Sequence, residues 1–339
     1  MIKKFITSNP IHKKIVPVFD WIMLLRIEKL LAVWSLICVG MYIGSILNSS
    51  TIINGTNYSL NTFIFFFACS LLCGGIFIVQ EIDEFKIRNK NNNLFNHITI
   101  IDTRKAAIVG DIVATTGTLL VLYINFFSLS LSGIYLLNRF FIKDGLFLSM
   151  SSKSTSLLFN ILFGYALMKM GFTYVFISSM SDIIPSLVGV GFYMYGIPFL
   201  LGLSSVCIFI NELEFNSEKS QSMYTLALIF CVLSVIIGLK LNEPLLSVSG
   251  VTVLPFYLFA VLRGEYKDIV RSVRYSVLIL NFYILTIYPL LFFPLIIIYY
   301  LSKYYNWHRL SFHYPAFLVD EELTYGYNTI DESRIGKND

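Results

Sequence analysis

Charge is scarce in this chain. Charged residues make up 14% of its 339 residues, whereas hydrophobic residues make up 56%. A soluble globular domain carries about 25% charged residues, so the composition excludes an ordinary soluble protein. Apolar runs close to membrane-spanning length recur along nearly the whole chain, and they lack the alternation of barrel strands. The sequence therefore predicts an all-α, polytopic membrane helical bundle.

The chain also lacks clusters of soft metal ligands. Its four histidines are scattered, and all five cysteines fall inside apolar segments. Cys69 and Cys73 are one helical turn apart, but no histidine or further cysteine lies near them in sequence. We interpret them as small core residues rather than as metal ligands. Neither a disulfide framework nor a nucleic-acid or protein partner is predicted.

Nine membrane spans are predicted, at 30–47, 62–80, 106–126, 156–170, 174–195, 197–210, 224–241, 245–262 and 276–301. Together they form one transmembrane domain, 30–302, between an N-terminal segment, 1–29, and a polar tail, 303–339. Segment 127–148 is apolar in part but is interrupted by charged residues. It could be a re-entrant or interfacial helix, or a tenth span.

Basic residues orient the predicted spans. With nine spans and a cytoplasmic N-terminus, most of the 25 Lys and Arg residues fall on the cytoplasmic side, as the positive-inside rule requires. Lys169, at the predicted end of the fourth span, falls on that side, and Lys153 falls on the other. This topology predicts a multi-pass protein of the cell (inner) membrane. A tenth span would move the later loops to the opposite side.

Two acidic stretches stand where a long apolar segment gives way to polar chain. The first contains Glu81, Glu84 and Arg88, which share one helical face at offsets of three and seven residues. The second repeats these offsets, at Asn211, Glu214 and Glu218. One such cluster would more often be a solvated helix end. Two with the same offsets, both predicted on the cytoplasmic side, favour a site that holds metal ions and a polyanionic headgroup.

The residues around these stretches resemble the signatures of the UbiA-type intramembrane prenyltransferases. That family has N-D-x-x-D-x-x-x-D after its second span, where this chain has Gln80-Glu81-Ile82-Asp83-Glu84-Phe85-Lys86-Ile87-Arg88. Its second signature is D-x-x-x-D, then Gly four residues on and Thr-Leu three beyond that. The corresponding positions here are Glu214, Glu218, Ser222, Thr225 and Leu226. Glutamate thus replaces four of the five signature aspartates, and Arg88 replaces the fifth.

Two shorter motifs extend the resemblance. Gly164-Tyr165-Ala166-Leu167-Met168-Lys169 is similar to a family motif that ends in lysine. Asp102-Thr103-Arg104-Lys105-Ala106 is similar to the opening of the family's third span. The resemblance covers roughly residues 20–300 and agrees with the nine spans. It implies a prenyltransferase that moves an isoprenyl group from an isoprenyl diphosphate to a hydrophobic acceptor within the membrane.

The resemblance also implies roles for particular residues. The catalytic acids would be Glu81, Glu84, Glu214 and Glu218. With Asn211 they would be the Mg²⁺ ligands, and Asp83 is a further candidate, as is Glu212, although both are out of register. The diphosphate would be bound by Lys169, Arg88 and Arg26. Mg²⁺ and nearby cations stabilise a diphosphate leaving group as its charge develops, and hard cations prefer oxygen ligands.

Simpler interpretations stay open for several of these residues. Arg88 could form only a salt bridge with Glu84, one turn away. Lys169 and Arg26 could be topology anchors at the membrane surface. For the whole chain, two alternatives keep the same fold: a membrane terpene cyclase, whose acceptor is internal, and a non-catalytic prenyl-lipid binder or transporter.

Overall fold

The computed structural model describes residues 18–47, 60–88, 101–124, 153–179, 185–215 and 221–309, and all of its regular secondary structure there is helical. A short helical segment, 18–24, precedes the main helices. These are α1 Ile27–Leu47, α2 Leu60–Arg88, α3 Thr103–Ile124, α4 Lys153–Ser179, α5 Pro185–Phe215, α6 Gln221–Lys240, α7 Pro244–Arg263, α8 Tyr266–Ile287 and α9 Phe292–Arg309. Helices α1 to α8 are long and apolar enough to cross a membrane. The prediction of a polytopic helical bundle is therefore confirmed.

Helices α1 and α4 run parallel and approach each other closely through glycines. A Cβ atom placed on Gly40 would lie 1.8 Å from the carbonyl oxygen of Met168. A Cβ atom on Gly171 would lie 2.2 Å from the carbonyl oxygen of Ile37. Small residues allow helix backbones to come this close in a membrane, where dispersion contacts replace the hydrophobic effect as the driving force.

Helix α2 runs antiparallel to both α3 and α4. Towards α3, Gly75 meets the backbone of Ala114. Towards α4, the ring centroids of Phe77 and Phe163 are 6.4 Å apart. At the other end of the same pair, Phe65 stacks on Tyr174 with centroids 4.2 Å apart. Helix α3 therefore ends at the end of the bundle where α2 begins, and α4 begins where α2 ends.

Helix α5 returns antiparallel to α4, and α6 to α8 complete the bundle. Gly164 of α4 meets the side chain of Leu203, while Phe172 of α4 lies 4.9 Å from Phe192, centroid to centroid. The last helix of this group, α8, packs beside α1, where the Ser35 hydroxyl donates to Oδ1 of Asn281 over 2.6 Å. The first and last of the candidate spans are therefore neighbours.

The two acidic stretches lie at the same end of the bundle, which we call the charged end. It contains the first residues of α1, α3, α4, α6 and α8 and the last residues of α2, α5 and α7. Basic residues concentrate there, among them Lys105, Lys153, Arg263 and Arg271. The positive-inside rule thus predicts that this end faces the cytoplasm.

Three of the predicted span boundaries are wrong. The predicted break at 171–173 lies inside α4, because Gly171 is a buried packing contact and not a turn. The break near residue 196 lies inside α5, which continues through Pro198. The predicted span 276–301 is instead two helices, because α8 ends at Ile287 and the 3₁₀ turn Pro289–Leu291 separates it from α9.

The predicted position of Lys153 is also wrong. Lys153 begins α4 at the charged end, whereas Ile124 ends α3 at the opposite end. The nine predicted spans instead put these two residues on the same side of the membrane. The open question about segment 127–148 itself lies outside the described residues, and the predicted domain boundaries stay predictions.

Candidate active site

Arg26 and Glu81 form a bidentate ion pair at the charged end. Nε of Arg26 donates to Oε2 of Glu81 over 3.0 Å, and Nη2 donates to Oε1 over 2.6 Å. The side chain of Glu81 is 1% exposed and that of Arg26 is 26% exposed. Paired bonds of this kind combine charge attraction with a fixed geometry. The structure therefore brings together two of the predicted site residues that are 55 positions apart in sequence.

The backbone conformation at Arg26 places this side chain. Its φ of 51° lies in the left-handed region, which is uncommon for a residue with a Cβ atom. Arg26 joins segment 18–24 to α1: its N–H donates to the carbonyl of Met23, and its own carbonyl accepts from the N–H of Lys29. Backbone in this region costs energy and persists only where its surroundings hold it, often at functional sites.

An apolar cluster holds segment 18–24 against the last turns of α2. Its buried members are Met23, Leu24, Ile78, Ile82, Ile101 and Ala106. Ile78 and Ile82 lie on either side of Glu81 along α2, so the cluster keeps water from that carboxylate. Ion pairs are stronger in such an environment than in water. Asp20, in the same segment, is also fully buried.

The last turns of α5 hold a second set of buried polar side chains. Asn211 is buried, and so is Glu212. Glu212 lies near the Tyr224 hydroxyl on α6. The Tyr224 ring in turn stacks on Phe209 of α5, with centroids 5.8 Å apart. The first turn of α6 therefore closes one side of this second acidic site.

The start of α8 adds Asp268, which the sequence did not mark as a candidate, and Arg271, which it marked only as a topology signal. Asp268 is buried, and Nη1 of Arg271 lies 3.6 Å from its Oδ1. The bond between Ser35 and Asn281 aligns α8 with α1. Because Arg26 is nine residues before Ser35, it lies at about the level of residue 272 on α8. The spacing of Asp268 and Arg271 marks one helical face, but sequence alone did not show which helices it would meet.

Helix α4 separates the two acidic helix ends. Its Phe163 contacts Phe77 of α2, and the next residue, Gly164, contacts Leu203 of α5. Two interhelical steps of 8–10 Å put the axes of α2 and α5 within about 20 Å of each other. That spacing is occupied by α4 itself, which is about 10 Å across with its side chains. Both acidic ends therefore lie at the same end of the bundle, with α4 between them.

Lys169 lies away from both acidic ends. It is the seventeenth residue of α4 and not the end of a span, as the sequence had predicted. Its neighbour Met170 contacts Cys69 on α2, twelve residues before Glu81, or about 18 Å along the helix. Its Nζ lies 5.1 Å from the ring centroid of Tyr193 and 5.6 Å from that of Phe192. A lysine at this depth is a candidate functional residue, but it does not join the ion pair at the charged end.

Several predicted site residues lie beyond what the structure describes. Asp83, Glu84 and Arg88 are on the last turns of α2 and Glu214 is on α5, but only their helical backbone is described. Glu218 lies outside the described residues altogether. Among the side chains that are described, no three His, Cys, Asp or Glu come together as a metal site. The predicted Mg²⁺ ligand set stays a prediction.

Comparisons with known proteins bear on the fold. No family model matches the chain, and no curated protein matches it. The chain is similar to a solved structure described as digeranylgeranylglyceryl phosphate synthase in membranes. The sequences are 15% identical, the TM-score is 0.52, and the match covers 79% of this chain and 96% of that one. Identity this low shows a shared fold and nothing finer: the chain is an integral multi-pass protein with the fold of a membrane prenyltransferase.

Proposed function

We propose that this protein is an intramembrane prenyltransferase. It would transfer an isoprenyl group from an isoprenyl diphosphate to a lipophilic acceptor, with Mg²⁺, at the cytoplasmic face of the cell membrane. The observation that carries the proposal is that the acidic ends of α2 and α5 lie at the same end of a prenyltransferase fold, with Arg26 paired to Glu81 of α2. Acidic ends on opposite sides of the membrane would have excluded a shared diphosphate.

The named neighbour makes a glyceryl phosphate that carries geranylgeranyl groups. Its product supports isoprenyl diphosphate as the donor class and a membrane lipid as the acceptor class for this chain. At 15% identity the chain length and the acceptor headgroup do not transfer. The proposal therefore stops at the two substrate classes.

The reaction needs stabilisation of charge on both products of the first step. The allylic C–O bond breaks, its electrons leave with the diphosphate, and an allylic cation remains. A nucleophilic atom of the acceptor then bonds to that carbon and loses a proton. Arg26 would bind the diphosphate as its negative charge grows, because preorganised donors stabilise a developing anion. The isoprenyl chain would lie among the apolar helices, where aromatic faces can stabilise the cation.

The residues present suit Mg²⁺ by donor type. Carboxylates and an amide oxygen, as supplied by Glu81, Glu84, Glu214, Glu218 and Asn211, are the ligands that a hard cation prefers. When bound, Mg²⁺ would supply Lewis-acid stabilisation of the leaving diphosphate. Both oxygens of Glu81 accept bonds from Arg26 in this structure. Glu81 can therefore ligate a cation on that edge only if Arg26 moves.

The direct test is release of inorganic pyrophosphate by the purified protein in lipid nanodiscs. Isoprenyl diphosphates of several chain lengths would be supplied with Mg²⁺ and a panel of lipophilic acceptors. We expect release that depends on an acceptor and is lost in Glu214→Gln, because that side chain is a predicted ligand. Glu265→Gln is the matched control: Glu265 is the N-cap residue of α8 at the same charged end, is about half exposed and pairs with Lys267 over 3.0 Å.

The outcomes separate the candidate functions. Loss of release in Glu214→Gln with normal release in Glu265→Gln supports the proposal. Equal activity in both variants would remove Glu214 from the site, and no release with any donor would overturn the transferase proposal. Release without an added acceptor, with a cyclic hydrocarbon or alcohol as product, would identify a terpene cyclase.

A second candidate is a prenyl-lipid binder without catalysis. It is favoured by the bidentate occupation of Glu81, since a carboxylate fully bound by a guanidinium is not an open metal ligand. Binding of isoprenyl diphosphates over several chain lengths, without any turnover, would support this candidate.

A further inference from the structure

The assigned roles of Arg26 and Glu81 conflict in this structure. Arg26 is proposed to bind diphosphate and Glu81 to bind a cation, yet each is engaged by the other through two hydrogen bonds of 3.0 and 2.6 Å. A carboxylate with both oxygens held by one guanidinium has little room for a metal ion on the same edge. The ion pair and a metal ion on that edge of Glu81 therefore exclude each other.

We propose that Arg26 is an exchange residue: it neutralises Glu81 in the ligand-free protein and moves to the diphosphate when substrate and a divalent cation enter together. The inference rests on the proposed function and goes beyond it, because it concerns what the pair does before substrate binds. The cation takes over the charge of Glu81 as Arg26 leaves. Each buried charge thus keeps a partner throughout.

Burial makes a simple dissociation of the pair unfavourable. The Glu81 side chain is 1% exposed, and a buried carboxylate that loses its partner is strongly destabilising. A diphosphate alone would therefore have to compete with Glu81 for Arg26, and a cation alone would have to compete with Arg26 for Glu81. When both bind, neither competition leaves an unpaired charge. The exchange predicts that cation and diphosphate each increase the affinity for the other.

The position of Arg26 permits the movement. Its side chain is 26% exposed, whereas that of Glu81 is 1% exposed, so Arg26 is the member of the pair that solvent reaches. It also stands at the junction between segment 18–24 and α1, where φ is 51°, rather than inside a helix. A change of side-chain rotamer can carry the fork away from α2, since long side chains at such junctions are not confined by neighbouring helical turns.

The test measures binding of inorganic pyrophosphate, not turnover. Its dissociation constant is measured by isothermal titration in nanodiscs, with and without Mg²⁺, for the wild type, Glu81→Gln and the control Glu265→Gln. In the wild type we expect Mg²⁺ to strengthen binding. In Glu81→Gln we expect Mg²⁺-free binding to become about tenfold tighter, because Arg26 is released from a charged hydrogen-bonded partner. The same variant should lose most of the Mg²⁺ effect.

The result that overturns the exchange is specific to it. If the wild type binds pyrophosphate but Glu81→Gln binds it no more tightly without Mg²⁺ than Glu265→Gln does, Arg26 is not released from Glu81 and the pair is a fixed structural bond. Absence of pyrophosphate binding in the wild type would instead count against the proposed function as well. The two failures are therefore distinguishable.

A second variant keeps the test valid if Glu81→Gln does not fold. Glu81→Asp keeps the charge and shortens the side chain by one methylene, so it weakens the bidentate geometry without removing the carboxylate. We expect Mg²⁺-free pyrophosphate affinity between those of the wild type and Glu81→Gln, with some of the Mg²⁺ effect retained. Affinity in Glu81→Asp equal to that of the wild type under both conditions would contradict the exchange.

Discussion

The contact between α1 and α4 offers a sharp test of the architecture through Gly40→Ala. The added Cβ atom would lie 1.8 Å from the carbonyl oxygen of Met168 and 2.9 Å from the amide nitrogen of Phe172. Both are backbone atoms, which cannot rotate away. Carbon and oxygen approach to about 3.3 Å at the closest, so the two helices must separate by about 1.5 Å.

This separation has a cost for stability and a cost for the site. Overpacking of this kind destabilises by about 1–3 kcal/mol and occasionally by more, and we expect the upper end of that range because the obstacle is backbone. Helix α4 also stands between the acidic ends of α2 and α5. A misplacement of about 1 Å can lower a rate by about 10²-fold, so pyrophosphate release should fall by about that factor in the fraction that remains folded.

The assay compares thermal unfolding and pyrophosphate release of Gly40→Ala with those of Gly202→Ala. A Cβ atom on Gly202 would meet the Ser234 hydroxyl at 3.3 Å, and that side chain can shift by a few tenths of an ångström. Both variants introduce the same methyl group into a membrane helix. Equal unfolding temperatures for the two would refute the close parallel packing of α1 and α4.

Three further predictions concern other regions of the bundle. Burial raises the pKa of Glu243, whose carboxylate accepts a hydrogen bond from the Tyr42 hydroxyl over 3.2 Å. Because the folded pKa lies above the unfolded one, the ionised carboxylate destabilises the folded protein. This penalty is absent at pH values below about 4.5 and grows as the pH rises through the folded pKa. Thermal unfolding of Glu243→Gln across pH should therefore show stabilisation at neutral pH that vanishes in acid, and a constant difference would contradict this. Lys169→Met should unfold at the wild-type temperature or higher, since replacing a desolvated charge by an apolar side chain is often neutral or stabilising. The same variant should lose prenyl transfer if the lysine acts on a substrate. Unchanged transfer would make Lys169 a packing residue. Tyr257→Phe should cost only about 1 kcal/mol in chemical unfolding, because its two hydroxyl partners, Ser205 and Ser276, also donate to backbone carbonyls; a loss several times larger would show that the hydroxyl network is cooperative.

The helical class and the approximate positions of the first three spans could be predicted from hydropathy. Continuous apolar runs admit only a helical bundle, and the loops around them are polar. The sequence also identified the two acidic stretches, because their repeated offsets are a local helical property. The sequence likewise marks Arg26 and Glu81 as candidate site residues, and the structure shows them in contact.

The remaining errors arise where a residue has two physical uses. Glycine ends helices, but Gly171 instead allows α1 to approach α4, and no local pattern distinguishes these uses. At Pro289 the error is the reverse, because a helix break lies within an apolar run that was predicted to be one span. The incorrect placement of Lys169 at the end of a span followed from the incorrect break at 171–173. The pairing of Arg26 with Glu81 and the position of Asp268 depend on contacts between distant segments, which a single sequence does not specify.

The hydrogen bond between Ser35 and Asn281 has a consequence for how large lipids could reach the interior. It joins the first candidate span to the eighth, so α1 and α8 are held together at the level of Ser35. A long hydrocarbon tail that entered between these two helices at that level would have to break this bond. An opening between two other neighbouring helices would face the bilayer and would let a hydrophobic molecule enter without crossing water.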